Sequence, residues 1–87
     1  MSGSCTELRQ TAEAMASGDY RKRFAAEREQ LRIRTEALRT MLGAQEEGFL
    51  DFEPDCPVAL LEAQLHAMEL YGYLLGLRAE AEGTGEV

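Results

Sequence analysis

Between Pro57 and Gly83 the apolar residues fall at alternating steps of four and three: Leu61, Leu65, Met68, Gly72, Leu75 and Ala79. That spacing follows one stripe of an α-helix and no face of a β-strand, so it predicts a helix that buries a seam against another helix. Pro57 suits the first helical position, where a missing N–H costs nothing, with Asp55 or Cys56 as the cap before it; Gly83 is a stop after Glu82. Beside the seam lies a second row: Leu60, Gln64, Ala67, Tyr71, Leu74 and Arg78. One neighbour cannot cover both rows. The helix of residues 57–82 is therefore expected to face a partner from its own chain and another from a second copy.

The intrachain partner is read at residues 20–46. Asp19 is a good N-cap, and no proline follows until Pro54. Phe24, Leu31 and Leu38 recur every seven residues, and Tyr20, Ile33, Thr35, Met41 and Leu42 broaden the stripe. At about 1.5 Å per residue this helix is about 40 Å long. Gly43 to Cys56 reads as a long connection, with Gly48, Asp51, Pro54 and Asp55 as breakers and Leu50 and Phe52 folding back to cap the seam. Residues 1–18 form an appendage, possible as a short helix from Thr6 to Ala16 with Leu8, Ala12 and Met15 on one face, and residues 84–87 form a tail. The predicted class is all-α: an antiparallel two-helix hairpin with a long capping loop, residues 19–83, assembled into an oligomeric helical bundle. Self-association is expected because 87 residues bury little apolar area within one chain. If the hairpin closes with Leu42 opposite Val58, Tyr71 lies near Arg28 and Glu29, Gln64 near Glu36, and Arg78 near Tyr20 and Phe24.

Charge is unevenly spread. Arg21, Lys22, Arg23, Arg28, Arg32, Arg34 and Arg39 stand against three acids, so residues 21–39 carry +4 while the rest of the chain carries −11. Such asymmetry marks either a site for an anion or a set of internal ion pairs. A net charge of −7 argues against duplex nucleic acid and anionic lipid, and neither a membrane span nor a leader peptide is legible. The expected location is the cytosol. Cys5, Cys56 and His66 are too few and too badly spaced for a zinc site, and no metal or cofactor is expected. His66 reads as a solvated helix-surface residue, and Glu46, Glu47, Glu80 and Glu82 as solvating charge.

No nucleophile with its base and no Gly-rich phosphate loop is written in the chain. Gly72 and Gly76 lie mid-helix, where they permit close helix approach or open room for a flat ligand group. The combination with most chemistry is Arg28, Arg32, Arg34 and Arg78 with Gln64, Tyr71, Tyr73 and Tyr20. Arginine forks bind phosphate bidentately, and tyrosine faces stack on bases. The competing reading has Glu27, Glu62, Glu69 and Glu80 neutralise the arginines while the tyrosines pack. Arg21, Lys22, Arg23 and Arg39, toward the helix ends, are explained by solvent or by pairing with the acidic partner helix. Arg28 and Arg32, opposite Tyr71 and Met68, are the stronger candidates, with Arg78 as their partner.

The pattern Asp19-Tyr20-Arg21-x-Arg23-Phe24, then Glu27, Gln30-Leu31, Arg34-Thr35-Glu36 and Leu38, resembles a family of small phage and prophage proteins first named from a crAss-like gut phage. The second half is similar too: Leu50-Asp51-Phe52-x-Pro54-x-Cys56-Pro57, Leu60-Leu61, Gln64, Met68, Tyr71 and Leu77-Arg78-Ala79-x-x-Glu82-Gly83. Residues 1–18 lie outside the resemblance, and Thr84 to Val87 depart from the family's more apolar ending. The resemblance implies a viral accessory protein of the host cytoplasm. By analogy it implies a homo-oligomer like the phage anti-CBASS and anti-Thoeris sponges, which sequester cyclic nucleotide immune signals without cleaving them. The expected partner is a cyclic ADP-ribose isomer of the TIR/Thoeris type, with CBASS cyclic dinucleotides and other cyclic oligonucleotides as the alternative, and a helical protein-interaction module as a different class. Arg28, Arg32 and Arg78 are expected to hold phosphates, Tyr71 and Tyr73 to flank the adenine, and Gln64 to read a ribose or base edge. Cleavage of the same messengers is the least favoured reading.

Overall fold

Asp19 starts the longest helix: its backbone is extended (φ −88°, ψ 116°) and its carboxylate accepts from the Arg21 amide at 3.0 Å. The structure, a computed structural model, describes residues 2–49 and 53–83. They form three helices, α1 (Ser2–Met15), α2 (Tyr20–Glu46) and α3 (Val58–Glu82), with no strand among the described residues. The expected cap by Leu50 and Phe52 and the tail at 84–87 lie outside those residues.

Both long helices stop on a glycine in the left-handed region. Gly48 (φ 81°) ends α2: its amide donates to Gln45 O and that of Phe49 to Ala44 O, closing a Schellman motif. Gly83 (φ 76°) ends α3 by donating to Ala79 O and Glu80 O. The start of α3 differs from expectation by one position. Pro57 is itself the cap, not the first helical residue, with no side-chain cap bond; its carbonyl accepts from Leu60 and Leu61 at 3.0 and 3.3 Å. An N-cap contributes only its C=O to the helix, so proline's missing N–H is harmless there as well.

α3 runs antiparallel to α2. At one end Tyr20 meets Arg78 and Glu82, and toward the other Arg39 meets Glu69. Phe24, Leu31, Leu75 and Ala79 form the buried cluster between these helices, with Met68 packed against it. Thr35 is buried beside them and turns its hydroxyl back to Leu31 O, so the one buried polar side chain on this face is satisfied within its own helix.

α2 buries a second face. Ala26 and Ile33 are buried yet stand outside the α2–α3 cluster, on the same turns as Gln30, whose amide donates to Thr11 of α1 at 2.8 Å. Ile33, expected to widen the seam toward residues 57–82, instead faces α1. Among the α1 residues from Leu8 onward, Leu8, Thr11 and Ala14 are half-buried, while Ala12 and Met15, expected beside Leu8, are exposed. α2 is thus the central helix, covered by α1 on one side and α3 on the other.

Candidate functional site

Steps of four, three and four along α2 place Arg28, Arg32, Thr35 and Arg39 along one edge. Where this edge meets α3 there is a cleft of about 810 Å³. Leu31, Thr35, Met68, Gly72 and Leu75 line its inner wall, and its rim alternates in charge: Arg28, Arg32 and Arg39 with Glu29, Glu36 and Glu69.

Most of that rim is paired. Arg32 donates to Glu29 (3.1 Å from Nε) and to Glu36 (2.9 Å), and Arg39 crosses to Glu69 at 2.8 Å. The hydrogen bond from Arg32 holds the Glu29 carboxyl below its usual range, and the same bond raises the Arg32 guanidinium. These groups are about half exposed, so the pairs position side chains more than they stabilise the fold.

Arg28 stands apart. Its Nη1 is buried and has no hydrogen-bond partner among the described residues. A buried donor left unmade on a charged group costs at least ~1–3 kcal/mol. Its other terminal nitrogen, Nη2, lies over Gly76, 3.9 Å from where a Cβ would stand. At Gly72 the corresponding neighbour is Leu31 Cδ2, at 3.7 Å. Both are ordinary van der Waals distances, so an alanine at either position fits. Close approach of α2 and α3 therefore does not require these glycines.

The other predicted residues lie elsewhere. The Tyr71 hydroxyl donates to the Glu27 carboxylate, a bond that raises the phenol's pKa, desolvation adding to the effect. Tyr71 was expected beside Arg28 and Glu29; two residues along a helix is a rotation of about 200°, which carries it to the opposite edge of the α2–α3 contact. Arg78 has the neighbours expected of it, Tyr20 and Phe24: it donates to the Tyr20 hydroxyl at 2.8 Å, pairs with Glu82 at 3.5 Å and lies 4.8 Å over the Phe24 ring. Tyr20 stacks on Phe24 and donates to Glu82, so Tyr20, Phe24, Arg78 and Glu82 form one closed cluster. Gln64 is exposed and donates to Met68 Sδ at 3.8 Å, and Tyr73 is exposed. Within a single chain Arg28 and Arg32 both line the cleft, and Gln64, Tyr71, Tyr73 and Arg78 are not among its lining residues. Sequence reasoning missed Arg39 as a cleft residue, although its place seven residues after Arg32 puts the two on one face.

A family model spans residues 18–81, from just before the Asp19 cap almost to the end of α3. The chain belongs to the Sequestin family. Comparison with the curated proteins and with the solved structures returns no match. The Sequestin match takes in the whole cleft and leaves α1 outside. Among the described residues, no helix is long and apolar enough to cross a membrane, and no group of three potential metal-ligating His, Cys, Asp or Glu side chains occurs.

Proposed function

We propose that this Sequestin chain is a sponge: a helical hairpin that assembles into a homo-oligomer in the host cytoplasm of a phage infection and withholds a cyclic nucleotide immune signal. The observation that carries the reading is the buried, unpartnered Nη1 of Arg28 in a cleft of about 810 Å³. That nitrogen is closed off from water where it stands, so a turn of the Arg28 side chain into the cleft it lines brings the donor to a phosphate oxygen, and the cleft's volume falls in the range of small-molecule sites. The family's name, which speaks of sequestering, supports binding as the activity.

Arg32 joins Arg28 by exchanging a carboxylate for phosphate, with Glu29 and Glu36 as the ionic partners it leaves. Binding without cleavage fits the protonation states. Arginine stays charged throughout, so neither Arg28 nor Arg32 is poised to pass a proton. The first choice of ligand is a cyclic ADP-ribose isomer of the Thoeris type, and a CBASS cyclic oligonucleotide is the alternative. Tyr71, Tyr73, Gln64 and Arg78 contribute through assembly, because in one chain they do not line the cleft.

Calorimetric titration with a panel of cyclic ADP-ribose isomers and cyclic dinucleotides tests the proposal. Micromolar or tighter binding of one of them, with the ligand recovered intact by mass spectrometry after heating, is the expected result. No binding by any of them at micromolar protein sinks it. A protein-interaction module is the second reading, favoured by the exposed Leu60, Leu70, Leu74 and Leu77 of α3. It requires that this apolar face remain open in the purified protein.

A further inference from the structure

The face of α3 turned away from α2 carries a heptad repeat of its own. Leu60, Ala63, Ala67, Leu70, Leu74, Leu77 and Ala81 follow steps of three and four without a break, and every one is exposed. Leu60 and Leu70 each keep 59 % of their surface in water. Three heptads of uncharged residues form the seam of a coiled coil, and no other described element covers it. This is not the row read beside the buried seam in the sequence. The polar members of that row, Gln64, Tyr71 and Arg78, each sit one position after Ala63, Leu70 and Leu77, along one flank of the stripe; His66, Tyr73 and Glu80 line the other.

We propose that this stripe docks on the same stripe of a second copy, antiparallel, about a twofold axis near Gly72. The proposal deepens the oligomeric part of the function above and rests on that reading for its ligand. The stripe is self-complementary in this direction. Leu74 packs on the partner subunit's Leu70, Leu77 on the partner subunit's Ala67, and Ala63 on the partner subunit's Ala81, which sets large against small in the second layer. Charge agrees: His66 meets the partner subunit's Glu80, and the acids Glu62, Glu69 and Glu82 fall outside the seam, so two chains of net charge −7 meet where neither carries charge.

Docking in this direction alters the candidate site. On one flank Tyr71 comes against the partner subunit's Tyr71, and Arg78 against the partner subunit's Gln64. Three of the residues with the most ligand chemistry, remote from the cleft in one chain, thereby converge from two copies. On the other flank the two Tyr73 rings meet. A groove bounded by residues of both chains is a site that a single chain leaves incomplete.

Sedimentation of the wild type, Leu74→Glu and Leu70→Glu tests the seam. Both leucines are exposed in the single chain, so the variants keep the helical circular dichroism of the wild type. The wild type is expected at twice the chain mass or a higher even multiple, and each variant at half the wild-type mass or less, with nucleotide affinity down at least tenfold. Orientation is read by oxidation in a Cys5→Ser, Cys56→Ser background. Tyr73→Cys is expected to cross-link two chains and Leu60→Cys not to, whereas a cross-link through Leu60→Cys alone overturns the antiparallel arrangement. A monomeric wild type, or variants of unchanged mass, overturns the seam whatever the chain binds. A wild type that dimerises through the seam yet binds no nucleotide overturns the ligand reading alone.

Discussion

Replacing Gly72 or Gly76 by alanine separates a packing role from a ligand role for the two glycines of α3. Glycine inside a helix costs about 1 kcal/mol relative to alanine. Against that gain stands the room for the added methyl. At Gly76 its nearest neighbour is Arg28 Nη2 at 3.9 Å, the far end of a flexible side chain, and at Gly72 it is Leu31 Cδ2 at 3.7 Å. Neither contact displaces anything, so each single variant should gain about 1 kcal/mol, which in a domain of this size raises the Tm by about 4–8 °C. Thermal denaturation followed by far-UV circular dichroism reads the shift. Gly72→Ala should at the same time weaken nucleotide binding, because Gly72 lines the cleft and its added methyl takes up room there. Gain of stability with loss of ligand is the signature of room held open for a guest. A fall in Tm for either variant refutes the reasoning, since it means the helices need the glycines to approach.

Arg28→Met should leave stability unchanged or raise it by about 1 kcal/mol, because it removes a buried donor with no partner, while calorimetry shows nucleotide affinity lost at least tenfold. Leu75→Ala should cost about 3 kcal/mol in urea unfolding: the side chain is 2 % exposed and packs within the cluster of Phe24, Leu31 and Ala79, and truncations of this kind cost ~2–5 kcal/mol. The raised phenol of Tyr71 makes its bond to Glu27 a contribution present below the ordinary tyrosine pKa and lost as pH rises through the folded value. Tyr71→Phe should therefore flatten the alkaline limb of the stability profile and leave its shape at neutral pH unchanged, and an alkaline limb identical to that of the wild type counts against the bond.

The helices were legible because their signals are local. Asp19, Gly48 and Gly83 act on amides and carbonyls within a turn of themselves, and a stripe such as Phe24 and Leu31 or Leu75 and Ala79 declares its period wherever the partner is. The candidate site was legible only in part. Arg28 and Arg32 share a face by their four-residue step, but placing Tyr71 beside them required the rotation of α3 about its axis, and that depends on how Leu75 and Ala79 seat against Phe24. A two-residue difference in that register moves a side chain to the other edge of the contact.

By itself the sequence determined that the chain forms amphipathic helices, where the two long ones stop, and which arginines share an edge, since each follows from spacing and end chemistry along one chain. Tertiary structure decided which face of α2 each neighbour covers, that Ile33 lies outside the α2–α3 cluster, and that among the described residues Arg28 keeps a buried terminal nitrogen without a partner while Arg32 and Arg39 find carboxylates. It also decided that, among the described residues of one chain, nothing covers the outer stripe of α3. These are outcomes of packing, in which a side chain's environment is fixed by residues tens of positions away, and no local period carries that information.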